Sequence, residues 1–398
     1  MGHPYARKLF HFYGIHYEIS GIQKLCKSFT LSLYLPDFLC MMNTKTTEAN
    51  PEIWLLSAYR ADSHAAWADW LTQNQMQVNW HRLELPGRHF RWRIRSNPLS
   101  WLEQLPESRP DLILATSMVD LATLKGLHPR LASIPAWCYF HENQFAYPES
   151  ERQFVSIDHK MVQIYSGLAA DRIFFNSNFN LTSYLDGIES LLKKKPNADS
   201  GMIRRKLEPK CEVLPIPITP ISPADEKDEQ LIVWNHRWEY DKAPEVFARA
   251  LAELAEKDIP FRLALLGDRS SRPPEALINI REKLGDRIII DEKADSATYR
   301  NILSKSSIVV STSLHEFQGL AMLEAVSAGA RPLVPDALCY PDQYPPQYRY
   351  PPGDHRHLAD RLSQWLTGSL PPPVDVSKWY GDELKTQWHR LFTDIRHG

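Results

Sequence analysis

Short apolar runs alternate with helical periodicity along most of the chain, in two series separated by a proline-rich segment. The first series predicts strands at 53–57, 78–83, 112–115, 136–140, 172–175 and 212–214. The second predicts strands at 231–234, 262–266, 287–290, 308–311 and 331–334. Helical stretches fall between most of these runs. Such alternation predicts an α/β fold built on parallel, doubly wound sheets.

A boundary between the two series lies at 215–223, which holds four prolines in nine residues and precedes a charged run at 224–229. A segment of this composition is typical of a stiff, extended linker. We therefore predict one domain over 51–222, a second over 223–370 and a helical tail over 371–398. Residues 1–50 show no sustained period, so we expect a weakly ordered extension and a natural start near Met41.

Composition limits the function classes without choosing among them. The 398 residues are 43% hydrophobic and carry a net charge of −2, which gives no global attraction to nucleic acid or membrane. Five cysteines form neither a Cys-x-x-Cys pair nor a disulfide-like spacing, so a reducing, cytoplasmic location is expected. No apolar run approaches the roughly 20 residues of a membrane span, so no membrane partner is expected.

The segment 315–334, HEFQGLAMLEAVSAGARPLV, carries the strongest chemical signal. Its pattern predicts a loop and a helix between two buried strands, where ligands bind outside the carboxyl ends of parallel strands. Glu316 opens the loop, and Glu324 follows about a turn and a half into the helix. Gly319 between them permits close backbone approach to a ligand. The alternative is a surface helix with two solvated glutamates, but the buried flanking strands favour a site.

This segment resembles the Glu-x7-Glu donor motif of retaining, nucleotide-sugar-dependent glycosyltransferases of the GT-B type. Four stretches of the first domain resemble the glycosyltransferase-like domain of tRNA-queuosine α-mannosyltransferases and their bacterial relatives. They are LLSAYRADSHAAW (55–67), LPGRHFRWRIRSNPLSW (85–101), DLILATSMVDLATLKGL (111–127) and CYFHENQFAYP (138–148). The resemblance covers about 52–345. It implies the GT-B fold, in which two Rossmann-like domains face a central cleft and a C-terminal helix crosses back to the first domain.

The resemblance also implies a nucleotide-sugar donor held by the second domain, with no resident cofactor. Glu316 would position the sugar and Glu324 the ribose. Arg237 and Lys242, in the run NHRWEYDK at 235–242, resemble the cation pair that clamps the donor diphosphate. Two cations balance the charge of a departing diphosphate, so no metal is expected. Backbone amides complete the implied clamp, contributed by Phe317, Gln318, Gly319 and Leu320.

Acceptor-side chemistry is expected where the strands of the first domain end. By the resemblance, His141 would hydrogen-bond the transferred sugar, and Glu142 would orient His141 or accept a proton from the attacking hydroxyl. A purely structural His–Glu pair is the alternative reading. Further acceptor contacts are expected from strand-end residues, namely Ser57, Asp62, His64, Thr116, Ser117 and Asp120. Asp62 and Ser63 also read as a helix N-cap.

A run of arginines with interleaved aromatics, Arg88, Arg91, Arg93 and Arg95, suits phosphate contact with an RNA. Read as an edge strand, this run would direct Arg91, Arg93 and Arg95 to one face, and phosphate contact would outweigh base readout. A solvated basic edge is the alternative.

From these patterns and the resemblance we predict a retaining hexosyltransferase that moves mannose from GDP-mannose onto queuosine in tRNA. Retention would proceed by front-face attack, because no side chain is an obvious covalent nucleophile. Three alternatives stay open from the residues. They are a transferase for a polysaccharide or lipid acceptor, a binding module without turnover, and an epimerase of the related GT-B type.

Overall fold

The computed structural model describes residues 49–147, 157–194 and 199–395. The expectations of a natural start near Met41 and of a weakly ordered extension before residue 49 concern residues outside these ranges. Both sheets described below belong to one compact unit.

Two six-stranded sheets form the framework, and every strand pair in them is parallel. The first sheet consists of β1 (Glu52–Arg60), β2 (Asn79–Pro86), β3 (Leu112–Thr116), β4 (Ala136–Phe140), β5 (Arg172–Phe175) and β6 (Cys211–Val213). The second sheet consists of β7 (Asp228–Trp234), β8 (Arg262–Leu265), β9 (Ile288–Asp291), β10 (Ser306–Val310), β11 (Arg331–Pro335) and β12 (Arg349–Tyr350).

The strand orders are β2-β1-β3-β4-β5-β6 and β12-β11-β10-β7-β8-β9. Each order reverses direction once, beside β1 in the first sheet and between β7 and β10 in the second. At such reversals the connections leave on opposite faces and open a crevice at the carboxyl ends of the strands. The predicted doubly wound α/β architecture is confirmed.

Helices cover the faces of both sheets. The part of the chain that forms the first sheet also contains α1 (Asp62–Asn74), α2 (Phe90–Ser100), α3 (Leu121–Leu127), α4 (Asp158–Ala169), α5 (Asn178–Lys193) and α6 (Ser200–Leu207). The second half of the chain has α7 (Pro244–Glu256), α8 (Glu275–Leu284), α9 (Ser296–Lys305), α10 (Leu320–Ser327), α11 (His355–Gln364) and α12 (Gly381–Asp394). Short 3-10 turns link several of them, among them Tyr240–Lys242 and Tyr340–Asp342.

The helix α7 shows how these elements follow from the sequence. Proline at its first position lacks only an N–H that has no partner inside the helix anyway. Phe247, Ala250, Leu251 and Leu254 then recur at helical spacing and are buried against the second sheet.

Tail helix α12 packs on the first sheet, although it follows the second sheet in sequence. Leu384, Trp388 and Phe392 lie four residues apart and share a buried cluster with Trp67 and Tyr139. The indole of Trp388 lies 5.8 Å from the Tyr139 ring, measured between centroids. The tail therefore ties the two halves of the chain together.

Two local predictions are wrong. The arginine run is not an edge strand, because Phe90–Ser100 forms helix α2 with Ile94, Asn97 and Pro98 on its buried face. Helix α1 is also not capped by Asp62 or Ser63. It begins at Asp62 after an N-cap at Ala61 that makes no side-chain capping bond.

Within the described ranges, the helices are too short or too polar to cross a lipid bilayer.

Candidate active site

A cleft of about 730 Å³ lies between the carboxyl ends of the two sheets. Both halves of the chain line it, which brings together residues separated by more than 250 positions in sequence. Twelve of the predicted site residues border it: Asp62, His64, Arg91, His141, Glu142, Arg237, Lys242, Glu316, Phe317, Gln318, Gly319 and Leu320.

An ion pair occupies the second-domain side of the cleft. Lys242 Nζ lies 3.1 Å from Glu316 Oε2 and 3.4 Å from Asp241 Oδ2, and it donates to the backbone carbonyl of His315 at 2.7 Å. Burial opposes ionisation of Glu316, but Lys242 and His236 outweigh it and lower the pKa of this carboxyl to about 2. Burial likewise opposes the charge on Lys242, yet Glu316 and Asp241 raise its pKa. Both groups are charged at neutral pH.

The loop after β10 is built around the Glu316 carboxylate. Glu316 Oε1 accepts from the amides of Phe317 and Gly319, each at 3.1 Å. Gly319 has a φ of +69°, and a Cβ there would lie 3.2 Å from the Tyr340 ring. The sequence prediction that the amides of Phe317 and Gly319 bind the diphosphate therefore needs correction, since the structure uses both for Glu316.

Free amides for an anion lie directly after this loop. Helix α10 begins at Leu320, and its first backbone hydrogen bond runs from the Leu323 N–H to the Gly319 carbonyl. The N–H groups of Leu320, Ala321 and Met322 precede that bond and point out of the helix N-terminus. Leu320 and Ala321 border the cleft.

The side chain of Gln318 has a role that the sequence did not indicate, and the prediction for its backbone amide stays a prediction. Its side chain is buried, donates to the Ile216 carbonyl at 2.7 Å and accepts from the Ile216 N–H at 2.9 Å. Gln318 thus joins the donor loop to the segment between the sheets.

Glu324 does not itself border the cleft, but it lies on α10 three residues after Ala321, which does. Tyr299 donates to its Oε2 at 2.8 Å, and the Asn235 side chain donates to the Tyr299 hydroxyl at 3.2 Å. Burial raises the pKa of Glu324 above its usual value. Asn235 Oδ1 is buried without a hydrogen-bond partner. A polar ligand at this point would satisfy it.

Arg237 is the exposed cation of the predicted pair. Its side chain is 56% exposed and lies 3.2 Å from Glu239 and 3.8 Å from Asp241. The preceding residue, His236, approaches Gly267 so closely that a Cβ on that glycine would lie 1.5 Å from the His236 carbonyl oxygen. Glycine at 267 therefore fixes the start of the 236–242 loop.

On the first-domain side, His141 follows β4 and is buried. Its ring stacks on that of His64, with centroids 4.0 Å apart and planes 21° apart. Burial, and then the nearby His64, lower the pKa of His141 well below its usual value, so the ring is neutral. Neither ring nitrogen of His141 has a partner among the described residues. A neutral imidazole of this kind offers one donor and one acceptor to a ligand.

The sequence suggested that Glu142 orients His141, but in the structure Glu142 contacts a different histidine. Its Oε2 lies 3.0 Å from Nε2 of His64, which comes from α1. The orienting contact on His141 is made through its backbone, since Asn176 donates to the His141 carbonyl at 2.8 Å. Asn180 in turn donates to Asn176 and to the Phe140 carbonyl, both at 2.8 Å.

Comparisons with known proteins agree with this geometry. The family model for the tRNA-queuosine alpha-mannosyltransferase N-terminal region matches residues 52–218, and the model for glycosyl transferases group 1 matches 229–367. A Drosophila melanogaster protein named tRNA-queuosine alpha-mannosyltransferase is 34% identical over 316 residues, which is 76% of this chain and 84% of that protein. The chain belongs to the tRNA-queuosine α-mannosyltransferase family. It is a glycosyltransferase.

Solved structures agree with the GT-B fold at low identity. Sucrose-phosphate synthase from Thermosynechococcus elongatus matches with a TM-score of 0.62 and 14% identity, covering 87% of this chain and 99% of that one. TarM of S. aureus matches with a TM-score of 0.52 and 12% identity. There the match covers 75% of this chain, and the chain spans only 58% of TarM.

Other residues predicted for acceptor binding in this glycosyltransferase lie outside the cleft. Ser57 is buried inside β1, because that strand continues to Arg60. Thr116 and Ser117 are buried, and their hydroxyls have no partner among the described residues. Asp120 is the N-cap of α3, where it accepts from the Thr123 N–H. It is a structural residue.

The arginine run is divided by its helical geometry. Arg91 borders the cleft, whereas Arg88 is exposed in the turn before α2. Arg93 is half-buried, with its Nε enclosed and unpartnered in the described structure. Arg95 forms an ion pair with Asp120. Only Arg91 therefore combines exposure with access to the cleft.

Sequence reasoning on this glycosyltransferase missed several lining residues. They include Tyr59, Phe90, Gln144, Tyr147, His159, Lys160, Asn176, His236, Asp241 and His315. Tyr59, Asn176 and His236 lie at strand ends, where the same rule that selected His141 could have found them. His159 and Lys160 belong to the first turn of α4, for which the sequence gave no such signal.

Proposed function

We propose that this chain transfers mannose from GDP-mannose to queuosine in tRNA with retention of the anomeric configuration. The name of the 34% identical relative supports the sugar and the acceptor. The observation that carries the proposal is the pairing across one cleft of the Glu316–Lys242 ion pair with the unpartnered, neutral imidazole of His141.

On the donor side, the ionised Glu316 accepts hydrogen bonds from hydroxyls of the mannosyl group. Arg237 and Lys242, with the first-turn amides of α10, hold the diphosphate. The C1–O bond to the diphosphate breaks in the reaction, and its electron pair moves to the β-phosphate oxygen. The positive charges therefore stabilise the diphosphate more strongly in the transition state than in the bound donor. Glu324 accepts from the ribose diol.

On the acceptor side, a hydroxyl of queuosine attacks C1 from the face that the diphosphate leaves. The proton of that hydroxyl passes to the departing phosphate oxygen, which keeps the reaction on one face of the sugar. His141 donates to or accepts from a sugar hydroxyl without changing its charge. The carboxylates of Asp62 and Glu142 border the same part of the cleft and accept from the acceptor hydroxyls.

The enzyme needs no metal in this proposal. Arg237 and Lys242 supply the positive charge that a divalent ion supplies elsewhere. Among the residues that the structure describes, no group of three or more His, Cys, Asp or Glu side chains has the arrangement of a metal site.

The test is to incubate the purified protein with labelled GDP-mannose and with two tRNA pools, one containing queuosine and one prepared without it. Label should enter only the queuosine-containing pool, and the released nucleoside should carry an α-linked mannose. Label from UDP-glucose should not enter either pool. Transfer to neither pool, with release of free mannose alone, would refute the proposed acceptor and favour a polysaccharide or lipid acceptor. Donor binding with no turnover under any condition would favour a binding module, and conversion of the donor sugar to an epimer would favour an epimerase.

A further inference from the structure

A second pair of cations borders the cleft on the side opposite to Arg237 and Lys242. Arg91 lies in the first turn of α2, and Lys160 lies in the first turn of α4. Both line the cleft. They therefore add positive charge to the acceptor side of the cleft. The donor diphosphate does not need this charge, because Arg237 and Lys242 already bind it in the proposed reaction.

One aromatic contact fixes the two cations at the same part of the rim. The ring of Phe90, the residue before Arg91, meets the ring of His159, the residue before Lys160. The two centroids are 5.3 Å apart and the planes lie at 79°. Phe90 also packs edge-on against Tyr59, with centroids 6.0 Å apart. The starts of α2 and α4 are thus held together at the carboxyl end of β1.

These cations form no ion pair within the described parts of the chain, although the Lys160 ammonium lies 6.0 Å from the centroid of the Phe145 ring. Within residues 49–147, 157–194 and 199–395, no carboxylate lies within ion-pairing distance of Arg91 or Lys160. The contrast with the donor side is clear, because Lys242 contacts both Glu316 and Asp241, and Arg237 contacts Glu239. Arg95 of the same helix is likewise paired, with Asp120. Two unpaired cations at one rim suit an anion that arrives with the substrate.

We propose that Arg91 and Lys160 form a clamp for the RNA phosphodiester next to the acceptor nucleotide. This inference rests on the proposed function, because it assumes an acceptor that is part of a polynucleotide. The nearby N-terminus of α1 is a poorer place for that phosphate, since the carboxylate of Asp62 stands in its first turn. The clamp would make the enzyme select tRNA through backbone contact as well as through queuosine.

Salt dependence of tRNA binding measures such contacts directly. Each phosphate contact on single-stranded RNA contributes about 0.7 to the slope of log K against log salt concentration. The double variant Arg91→Gln/Lys160→Gln should therefore flatten that slope by about 1.4 and raise the tRNA Kd about tenfold near physiological salt. KM for tRNA should rise, while kcat and the Kd for GDP-mannose should stay within about twofold of wild type.

Two further variants make the experiment decisive. Arg109→Gln/Lys206→Gln removes the same two charges from exposed positions outside the cleft and should keep the wild-type slope. Arg91→Lys/Lys160→Arg keeps both charges and should also keep it. The clamp is refuted if the first double variant retains the wild-type slope, if the outside pair flattens it equally, or if GDP-mannose affinity falls instead. Wild-type protein that transfers no mannose to tRNA refutes the proposed function itself, whereas active wild type with an unaffected clamp variant refutes only the clamp.

Discussion

The side chain of Gln318 pairs with the backbone of Ile216 through two hydrogen bonds, one donated at 2.7 Å and one accepted at 2.9 Å. Ile216 lies directly after the first sheet, and Gln318 lies in the loop that carries Glu316. The Gln318 carbonyl in turn accepts from the Gln343 side chain at 2.6 Å. The donor loop is therefore held from both sides by amide groups that have no role in chemistry.

Replacing Gln318 by alanine should destabilise the protein. Both backbone groups of Ile216 would lose their partner in a buried place, at a cost of roughly 2–4 kcal/mol in the free energy of unfolding. Urea unfolding followed by tryptophan fluorescence measures this. Gln347→Ala, at an exposed position, is the matched control and should change the free energy by less than about 0.5 kcal/mol. An alanine variant as stable as wild type would show that the pairing contributes nothing.

Glu324→Gln should weaken donor binding. A ribose diol loses a charged acceptor worth about 1.5–3 kcal/mol, so the Kd for GDP-mannose should rise roughly 10- to 150-fold. Tyr299→Phe removes the hydrogen bond to Glu324 but keeps the carboxylate, and it should raise the Kd much less. Isothermal titration calorimetry on both variants gives the comparison. Wild-type affinity in a folded Glu324→Gln protein would exclude the ribose contact.

Local patterns were enough to predict eleven of the twelve strands and the donor loop, whereas β12 (Arg349–Tyr350) was not predicted. Apolar residues form the buried runs at Ala136–Phe140 and from Ile173 to Phe175, between polar turns, so their strands follow from burial alone. The loop from Glu316 to Gly319 could be located because a glutamate and a glycine stand between a buried strand and an apolar helix. His141 could be selected because it directly follows the carboxyl end of a predicted strand, where side chains of parallel sheets face a binding cleft.

Contacts between distant segments could not be predicted. His64 and Glu142 are 78 residues apart, and nothing local indicates that they meet. The sequence R-x-R-x-R suggested a strand, but burial of Ile94, Asn97 and Pro98 at helical spacing decided for a helix. The Asn97 side chain donates to the Arg93 carbonyl of its own helix and to the Met118 carbonyl, and the second bond is a tertiary contact that local propensity does not predict.

Arg237→Ala should reduce turnover more than it reduces donor affinity. The arginine is exposed, so its contact with a bound diphosphate is partly screened by solvent. Charge on the leaving group grows toward the transition state, and the lost interaction is greatest there. We expect kcat to fall at least tenfold while the Kd for GDP-mannose rises less than fivefold, in single-turnover and titration experiments respectively. A raised Kd with an unchanged kcat would instead assign Arg237 to ground-state binding only.

Chelation should leave the transfer rate unchanged. Protein dialysed against EDTA should retain its rate within about twofold, and added Mg²⁺ or Mn²⁺ should not raise it further, because Arg237 and Lys242 provide the positive charge at the leaving group. The tRNA must be refolded identically in all samples, so that loss of its own ions is not measured. A rate that EDTA abolishes and one particular divalent ion restores would contradict the proposal.

Acidification should destabilise the protein through two buried histidines of the donor side. Burial, and then Lys242, lower the pKa of both His236 and His315 to about 4, against about 6.5 for an unhindered histidine. The unfolded chain therefore binds protons below pH 6.5 that the folded protein refuses until about pH 4. Between these values each histidine should lower the free energy of unfolding by about 1.4 kcal/mol per pH unit. Above pH 6.5 neither histidine contributes to the slope.

His315→Gln removes one of these titrations and tests the assignment. Its free energy of unfolding should fall less steeply with pH than that of wild type, by about 2 kcal/mol over the interval from pH 6.5 to 5. Urea unfolding at pH 7.5, 6.5, 5.8 and 5 gives both slopes. His389→Gln, at an exposed position of α12, is the control and should follow the wild-type curve. If His315→Gln also follows that curve, the ring of His315 is protonated as readily in the folded protein as in the unfolded chain. Its contact with the Tyr147 ring, at 4.1 Å between centroids, would then be between an aromatic ring and a cation.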